Sequence, residues 1–261
     1  MPDSHWSERI KHWHKIMPPM RPHQGSISKQ QQLLGDRDGK VLLLGMTPEL
    51  HAAFPEIHAV DREQAMIDNI WPGDTKHKHA TQADWFDIPL YANHYDAVVG
   101  DGSFNMPRFH EETNLLMRRC LDWLRPGGIV AVRVFTRPEI TPSIDQVMAA
   151  TDTMCFDAWR CYLNMYIAGN EGVNIQSSRK YEVFDDIISD RAELAERTGW
   201  DLDHINRSFN SYKNGKMLTS YPTRAQWKHI VPDYATEIGF EETEGYELCE
   251  HFPILTFRKM R

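Results

Sequence analysis

Four residues of this sequence could together contact a nucleoside-like ligand: Gly45, Asp61, Asp84 and Asp101. Each follows a segment with the composition of a β-strand. An aspartate carboxylate can accept hydrogen bonds from ribose hydroxyls or from an exocyclic amine such as that of adenine, and glycine lets the backbone approach a ligand because it has no Cβ. Taken alone, each aspartate is equally consistent with a helix cap or a turn. Their order and spacing favour a shared ligand site.

The segments around these residues alternate between predicted strands and predicted helices. Short runs rich in apolar residues are typical of strands in a buried sheet, and they are separated by segments with helical spacing. Thr47 as a cap and Pro48 at the first helical position begin the first of these helices. The alternation predicts a parallel sheet with helices on both faces, whose ligands bind beyond the carboxyl ends of the strands. The predicted strands lie in KVLLLG, EIHAVD, HKHATQAD, YDAVVGD and IVAVRVF.

The pattern changes after Thr136, where residues 140–220 become mostly helical and rich in aromatic side chains. This helical insertion could cover a bound substrate, or its aromatic side chains could form its own core. We expect most of them to be core residues, with one or two tyrosines, such as Tyr166 or Tyr181, facing the cavity. The final segment, FEETEGYELCEHFPILTFRK, predicts two strands around EHFP that close the sheet.

Composition and charge limit the partners of the protein. The 261 residues are 41% hydrophobic and 25% charged, as in a globular protein, and no apolar run approaches the roughly 20 residues that cross a bilayer. The net charge of −8 and the lack of a long Lys/Arg run argue against nucleic acid as substrate. We therefore expect a small-molecule substrate, no nucleic acid, no membrane, and a monomer or homodimer.

The four cysteines and the N-terminus indicate the compartment. The cysteines are scattered without a CxxC pair, which argues against a zinc site and favours reduced thiols; no metal is expected. The first residues carry charges and tryptophans and lack the apolar stretch of a signal peptide. We expect a cytoplasmic protein.

Three common ligand-binding motifs are missing from the sequence. The turn GMTPEL lacks the GxGxxG spacing that admits a pyrophosphate, so a dinucleotide oxidoreductase is disfavoured. There is no GxxxxGK[ST] loop of a P-loop NTPase, and GDGSF is not the GxSxG elbow of a hydrolase.

The order of VLLLGMTPEL, HAVDREQAMI, ATQADWFDIPL, YDAVVGDGSFNM and LRPGGIVAVRVF resembles a class I S-adenosylmethionine-dependent methyltransferase. The resemblance covers roughly residues 38–136, and the final strand pair at about 238–260 also fits. LRPGG before a strand is its most specific part. More narrowly, PPMRP, LLLGMTPEL, WPGD, GDGSF and VRVFTRPE resemble a bacterial subfamily of such enzymes.

The resemblance implies an α/β fold with a Rossmann-like, doubly wound, mostly parallel seven-stranded sheet and a helical insertion before the last strands. The methyltransferase domain would span 36–261, with the substrate-covering insertion at about 140–220. Residues 1–35 would form a helical segment that covers the cofactor site. The cofactor would be S-adenosyl-L-methionine, with S-adenosyl-L-homocysteine as product.

In the family pattern, Gly45, Met46 and Thr47 form the cofactor loop and Asp61 binds the cofactor ribose. Most relatives have three glycines in this loop, whereas this chain has GMTPE. Other segments could compensate. Arg21 could bind the cofactor carboxylate, because arginine binds carboxylates through a planar fork, or it could be a surface residue of a proline-rich link.

The same pattern places Asp84 at the adenine amine, with Trp85 beside the ring. Asp101 and Gly102 would face the methionine part of the cofactor and the substrate cavity. A non-catalytic module that keeps the fold and serves a partner protein is the alternative to an enzyme.

A general base is needed for methyl transfer only when the acceptor is protonated. Asp101 and His110 are the predicted catalytic residues, although His110 could be an ordinary surface residue of a helix. Tyr166, Tyr181 and His251 are the predicted substrate-binding residues, although His251 could be only a turn residue. The predicted reaction is O- or N-methylation of a small molecule.

Overall fold

The computed structural model describes residues 10–35, 39–230 and 235–260. Within them, the strands are β1 Val41–Leu44, β2 Ile57–Asp61, β3 Lys78–Gln82, β4 Tyr95–Asp101, β5 Leu124–Arg133, β6 Asn174–Gln176, β7 Leu218–Ser220, β8 Gly239–Glu241 and β9 Ile254–Arg258. The main sheet has the strand order β3-β2-β1-β4-β5-β9-β8, and β6 pairs with β7 in a separate ribbon. Neighbours from β3 to β5 are parallel, whereas β9 is antiparallel to both β5 and β8. The predicted seven-stranded, mostly parallel sheet is confirmed.

Helices cover both faces of this sheet. The helices are α1 Gln24–Leu34, α2 Pro48–Ala53, α3 Gln64–Ile70, α4 Glu111–Trp123, α5 Ile144–Ala149, α6 Phe156–Glu171, α7 Ser177–Ile187, α8 Arg191–Thr198, α9 Leu202–Asn210 and α10 Arg224–Lys228. Residues of α1, α2 and α3 pack with Val41 and Leu43 on one face, and residues of α4 and α10 pack with Leu42 and Leu44 on the other. Successive side chains of a strand point to opposite faces, and because helices cover both faces, all four residues of β1 are buried.

The insertion, from α5 to β7, has a hydrophobic core of its own. Phe156 and Trp159 of α6 pack there with Phe184 and Phe209, whose rings are stacked. Most aromatic residues of the insertion are therefore core residues, as expected. No helix in the described ranges is both long and apolar enough to cross a membrane.

A buried asparagine joins the insertion to the main sheet. Asn105 donates hydrogen bonds through Nδ2 to the carbonyls of Phe135 (2.9 Å) and Ser220 (2.8 Å), and its Oδ1 accepts one from the Phe135 N–H (2.9 Å). Ser220 ends β7, and Phe135 lies just beyond β5. These three hydrogen bonds of Asn105 hold the β7 end of the insertion at the carboxyl ends of the central strands.

The two predicted closing strands are present as β8 and β9, but the first of them is shorter than predicted. β8 is only three residues long, and the segment between it and β9 forms turns and a short 3-10 helix at Cys249–His251. Gly245 adopts a φ of +95°, which extended strands do not use, and it lies against the His23 ring. The segment EGYELC therefore packs as a turn over α1 and not as a strand.

Candidate functional site

A cleft opens at the carboxyl ends of β1, β2 and β4 and consists of two adjoining chambers. We name them the outer chamber, of about 270 Å³, and the inner chamber, of about 100 Å³. Asp61, Trp85, Met106 and Met217 line both. The position agrees with the rule that open α/β sheets bind ligands beyond the carboxyl ends of their strands.

The outer chamber brings together Asp61, Asp84 and Trp85. Asp61 ends β2, and its Oδ1 accepts a hydrogen bond from the Glu63 N–H (2.9 Å). Asp84 closes a turn because its Oδ1 accepts a hydrogen bond from the Phe86 N–H (2.9 Å). The Trp85 indole N–H donates a hydrogen bond to the Val60 carbonyl (2.8 Å). The indole is thereby fixed at the chamber wall, directly after Asp84 in the chain.

Burial perturbs the acidity of Asp61. Loss of hydration raises the pKa of its carboxyl from the ordinary 3.8 to about 6, although the backbone N–H of Glu63 opposes the shift. At neutral pH the group is ionised and poorly hydrated. A ligand that supplies hydroxyl donors would restore the hydrogen bonds lost from water.

Gly45 lies between β1 and α2, opposite Asp61. Its φ is +95°, and a Cβ added there would lie 3.9 Å from Asp61 Oδ2 and 4.0 Å from Trp85 Cζ2. Such an atom would project into the space between the carboxylate and the indole. Glycine at this position therefore keeps open a cradle that any larger residue would partly fill.

Gly45→Ala is expected to lower the affinity for a ligand in this cradle at least about tenfold, or about 1.4 kcal/mol, because the methyl occupies ligand space. The positive φ should also cost about 1–2 kcal/mol of stability. Gly73→Ala is the matched control, since Gly73 has a φ of +112° and nothing within 4 Å of an added Cβ. Binding of S-adenosylhomocysteine, measured by calorimetry, should fall in Gly45→Ala alone. Equal losses of affinity in both variants would contradict the conclusion that Gly45 keeps ligand space open.

Met46 and Thr47 follow Gly45 and line the inner chamber. Thr47 occupies the N-cap position of α2, as predicted, but its side chain makes no capping hydrogen bond. The loop therefore presents a backbone turn and a small side chain to the chamber. Met46 is buried and contributes apolar surface.

Asp101, at the end of β4, also lines the inner chamber. One of its oxygens accepts a hydrogen bond from Nε of Arg133 (2.5 Å), which lies opposite it on β5. The Arg133 side chain is fully buried, and its cation lies between the rings of Phe135 and Phe252, 5.7 and 5.4 Å from their centroids. Burial alone would lower the pKa of Arg133, but the nearby Asp101 carboxylate opposes this, and the pKa is raised, so the guanidinium stays charged. The pairing fixes the orientation of Asp101.

Two residues expected at the cofactor support the cleft without lining it. Gly102, with a φ of +67°, lies so close behind the Phe135 ring that an added Cβ would be 2.5 Å from it. Arg21 hydrogen bonds through Nε to Oε1 of Glu49 (2.9 Å), in the first turn of α2, and its cation lies over the Trp13 ring. The carboxylate that Arg21 binds in this structure is therefore that of Glu49 and not that of a ligand. Arg21 is next to the inner chamber only through Trp13, which lines it.

The predicted catalytic histidine and the predicted substrate-binding residues do not line either chamber. His110 is exposed just before α4. Tyr181 follows the chamber-lining Lys180 on α7, and Tyr166 lies two residues after Asn164 on α6. In both cases the helical turn rotates the tyrosine away. The Tyr181 ring instead lies below the Arg191 and Lys213 cations, at 5.7 and 5.4 Å.

His251 lies in a separate surface pocket with Pro138 and Tyr162. Burial lowers the pKa of its imidazole, and its backbone carbonyl accepts hydrogen bonds from the N–H and the hydroxyl of Thr136. Its backbone thus anchors the chain just beyond β5.

Several lining residues were not identified from the sequence. They come from the insertion and from the turn after β4, and they are Ser103, Asn164, Lys180, Tyr212 and Tyr221. Lys180 gave a usable signal: it shares the buried face of α7 with Ser177, Val183 and Phe184. A lysine at core spacing is unusual and points to a buried charged site.

No protein-family model and no curated protein sequence matches the chain. Solved structures do. A Rhodobacter sphaeroides protein provisionally assigned to the Zn-dependent alcohol dehydrogenases gives a TM-score of 0.65 at 14% identity over 100% of each chain. A Listeria monocytogenes protein provisionally assigned as an S-adenosylmethionine-dependent methyltransferase gives 0.52 at 13% identity, covering 91% of this chain and 99% of its own. The 1,6-didemethyltoxoflavin-N1-methyltransferase of Burkholderia thailandensis, with 1,6-didemethyltoxoflavin and S-adenosylhomocysteine bound, gives 0.51 at 13% identity, covering 100% and 91%.

At these identities the similarity concerns the fold. The strand order and the antiparallel β9 agree with the methyltransferases, and the chain has the class I methyltransferase fold. The description of the Rhodobacter sphaeroides protein finds no support in the site. The turn after β1 lacks a GxGxxG spacing, and no cluster of three or more His, Cys, Asp or Glu side chains in the described ranges could hold a metal ion.

Proposed function

We propose that this protein is an S-adenosylmethionine-dependent methyltransferase that methylates an oxygen or nitrogen atom of a small molecule. The observation that carries the proposal is the cradle formed by Gly45, Asp61 and Trp85, with Asp84 in the same chamber. Its open space lies between an ionised, poorly hydrated carboxylate and an indole face. That combination suits a ribose with an attached adenine, and the short turn after β1 suits an amino-acid tail better than a pyrophosphate.

Each residue of the cleft has a defined task under this proposal. Asp61 would accept hydrogen bonds from the ribose hydroxyls, and Asp84 would accept one from the adenine amine through the carboxylate oxygen that does not close its own turn. Trp85 would cover the ring, because its indole N–H is already fixed to Val60 and its face remains for stacking. When bound, the cofactor supplies an electrophilic methyl group on a sulfonium.

The inner chamber would hold the amino-acid tail of the cofactor, next to the turn after β1, and the acceptor. Arg133 fixes the Asp101 carboxylate at one wall, and Asn105 clamps the insertion over the opening. A small space walled by methionine and aromatic side chains aligns the acceptor with the methyl group and excludes water, and such positioning supplies much of the catalysis of a displacement reaction. The small volume and the net charge of −8 both favour a small molecule over nucleic acid.

Thermal denaturation with a ligand panel tests the proposal. S-adenosylhomocysteine and S-adenosylmethionine should each raise the midpoint temperature, because a ligand at 100 times its Kd stabilises the folded state by about 2.7 kcal/mol. NADH should not raise it. Stabilisation by NADH alone would instead support an oxidoreductase.

If no ligand of the panel stabilises the protein, the result would support the alternative, a non-catalytic module that serves a partner protein. The single glycine in the loop after β1 is the reason to consider this alternative. Stabilisation by the two sulfur ligands, followed by methyl transfer to no compound of a broad acceptor library, would support a cofactor-binding subunit without activity.

A further inference from the structure

The geometry points to Asn164 and Tyr221 as the residues that select the methyl acceptor. They would bind a neutral, flat ring with a group that both donates and accepts a hydrogen bond, a phenolic hydroxyl or the N–H and C=O of a lactam. This inference rests on the proposed function, since it concerns the second ligand of the same cleft. Both side chains line the inner chamber and come from the insertion side of it, Asn164 from α6 and Tyr221 from the residue after β7.

Asn164 and Tyr221 use only part of their hydrogen-bonding capacity on each other. Nδ2 of Asn164 donates to the hydroxyl oxygen of Tyr221 (3.1 Å). Among the described residues, no donor reaches Oδ1 of Asn164 and no acceptor takes the hydroxyl proton of Tyr221. Both residues are buried, at 4% and 1% exposure, and buried polar groups are normally hydrogen-bonded. The pair therefore has one acceptor and one donor left for a ligand.

The donor and the acceptor are present whichever way the amide of Asn164 is turned. With the amide oxygen toward Tyr221, the hydroxyl would donate to it. The amide N–H groups and a lone pair of the hydroxyl oxygen would then remain for a ligand. In both arrangements the pair is complementary to a group that itself donates and accepts.

The pair is uncharged and favours an uncharged partner. Burial raises the pKa of the Tyr221 hydroxyl well above its ordinary value, so the hydroxyl keeps its proton at neutral pH. A carboxylate offers no donor for Asn164, and an ammonium group offers no acceptor for the Tyr221 proton. Three other polar residues that line the chamber, Asp101, Lys180 and Tyr212, each interact already with another group of the chain.

Both side chains are held in place by the fold. The Tyr221 N–H donates to the Val173 carbonyl (3.0 Å), and the preceding residue, Ser220, is fixed through its own carbonyl by Asn105 (2.8 Å). Asn164 lies in the middle of the sixteen-residue helix α6. A donor and an acceptor that are already in position lose little conformational freedom when a ligand binds, which favours selective binding.

The apolar groups beside the pair select the ring. The Phe135 ring lies 5.8 Å from that of Tyr221, and Met20 and Met106 also line the inner chamber. Aromatic faces and flexible thioethers suit a flat ring more than a sugar or a peptide. The pair would hold the polar edge of this ring and thereby orient it toward the cofactor. Neither Asn164 nor Tyr221 forms or breaks a covalent bond in this role.

Probes of nearly the same shape, with and without the hydrogen-bond donor, test the inference in the complex with S-adenosylhomocysteine. They are phenol against toluene, and 2-pyridone against 2-fluoropyridine, with each Kd measured by NMR titration at pH 7.5, where a phenol is neutral. At least one polar probe should bind about 5- to 100-fold more tightly than its partner, because it forms two hydrogen bonds with buried groups. The two pairs distinguish a hydroxyl from a lactam.

The double variant Asn164→Leu/Tyr221→Phe should abolish this preference and leave the affinity for S-adenosylhomocysteine within about twofold of wild type. It should fold, because replacing both partners of a buried hydrogen bond by apolar groups of similar shape is nearly neutral, and thermal denaturation checks this. Tyr221→Phe alone should reduce the preference at least about threefold. Tyr162→Phe is the control: Tyr162 lies on the same helix as Asn164 but lines the pocket of His251, so the preference should remain.

Equal binding within both probe pairs by the wild-type complex, or a preference that survives unchanged in the two Tyr221 variants, overturns the inference. A large loss of affinity for S-adenosylhomocysteine in the double variant, but not in the control, would assign the pair to the cofactor and overturn it as well. Failure of S-adenosylhomocysteine to bind the wild-type protein is a different result, because it refutes the proposed cofactor before any acceptor probe is added.

Discussion

Asp61→Asn should weaken S-adenosylhomocysteine binding by about 10- to 100-fold and at the same time stabilise the ligand-free protein. The loss of binding is expected because the carboxylate would accept hydrogen bonds from both ribose hydroxyls, whereas the amide of asparagine has only one acceptor oxygen. A hydrogen bond to a charged group contributes about 1.5–3 kcal/mol, and each 1.4 kcal/mol corresponds to a tenfold change in Kd.

The gain in stability follows from the pKa of Asp61. Burial raises it from 3.8 to about 6, so the ionised carboxylate is less stable in the folded than in the unfolded chain. This cost, up to about 3 kcal/mol, is fully present above pH 6 and disappears as the pH falls below about 4, where both states bind the proton. Asparagine carries no charge and avoids the cost at every pH.

Calorimetry and denaturant unfolding at pH 7.5 and pH 5 check both effects. The wild-type protein should bind S-adenosylhomocysteine less tightly at pH 5, where Asp61 is largely protonated, and the variant should lack this part of the pH dependence. Asp68→Asn is the control, since Asp68 is exposed on α3. Unchanged affinity in Asp61→Asn would refute the ribose assignment.

Arg133→Met should have the largest effect on stability, a loss of about 3–5 kcal/mol. Removing one partner of a buried ion pair leaves the other charge desolvated, and here the variant also loses the hydrogen bond from Nη2 to the Pro19 carbonyl (2.8 Å). For a chain of this size, that loss corresponds to a fall in midpoint temperature of roughly 6–20 °C.

A matched surface pair provides the comparison. Arg197 pairs with Asp152 on the insertion, and both side chains are exposed, so Arg197→Met should cost less than about 1 kcal/mol. Adding Asp101→Asn to Arg133→Met should recover part of the loss, because the remaining buried charge is removed. If the two arginine variants lose equal stability, Arg133 is not the electrostatic anchor of the inner chamber.

The sheet and the outer chamber could be predicted because their signals are local. The continuous apolar run of β1 identifies a strand buried on both faces, and parallel strands bring their carboxyl ends to one edge. That topology alone places Gly45 near Asp61. The indole of Trp85 follows from its position beside Asp84 in the chain.

The part of the inner chamber that the insertion supplies could not be predicted, because it depends on tertiary packing. Asp101 meets Arg133 through the register of β4 and β5, and Lys180 reaches the chamber only after the insertion has folded over the sheet. Arg21 was expected to bind a ligand carboxylate, yet the one within its reach is Glu49, 28 residues further along the chain. The residue type of Arg21 predicts that it binds a carboxylate, but it does not predict that this carboxylate belongs to Glu49.

A crystal structure of the protein with S-adenosylhomocysteine tests the central claim most directly. We expect the ribose hydroxyls on the Asp61 carboxylate, the adenine amine at Asp84 with Trp85 against the ring, and the sulfur atom toward the inner chamber. An adenosine bound outside the cleft, or bound in it without contact to Asp61, would contradict the account.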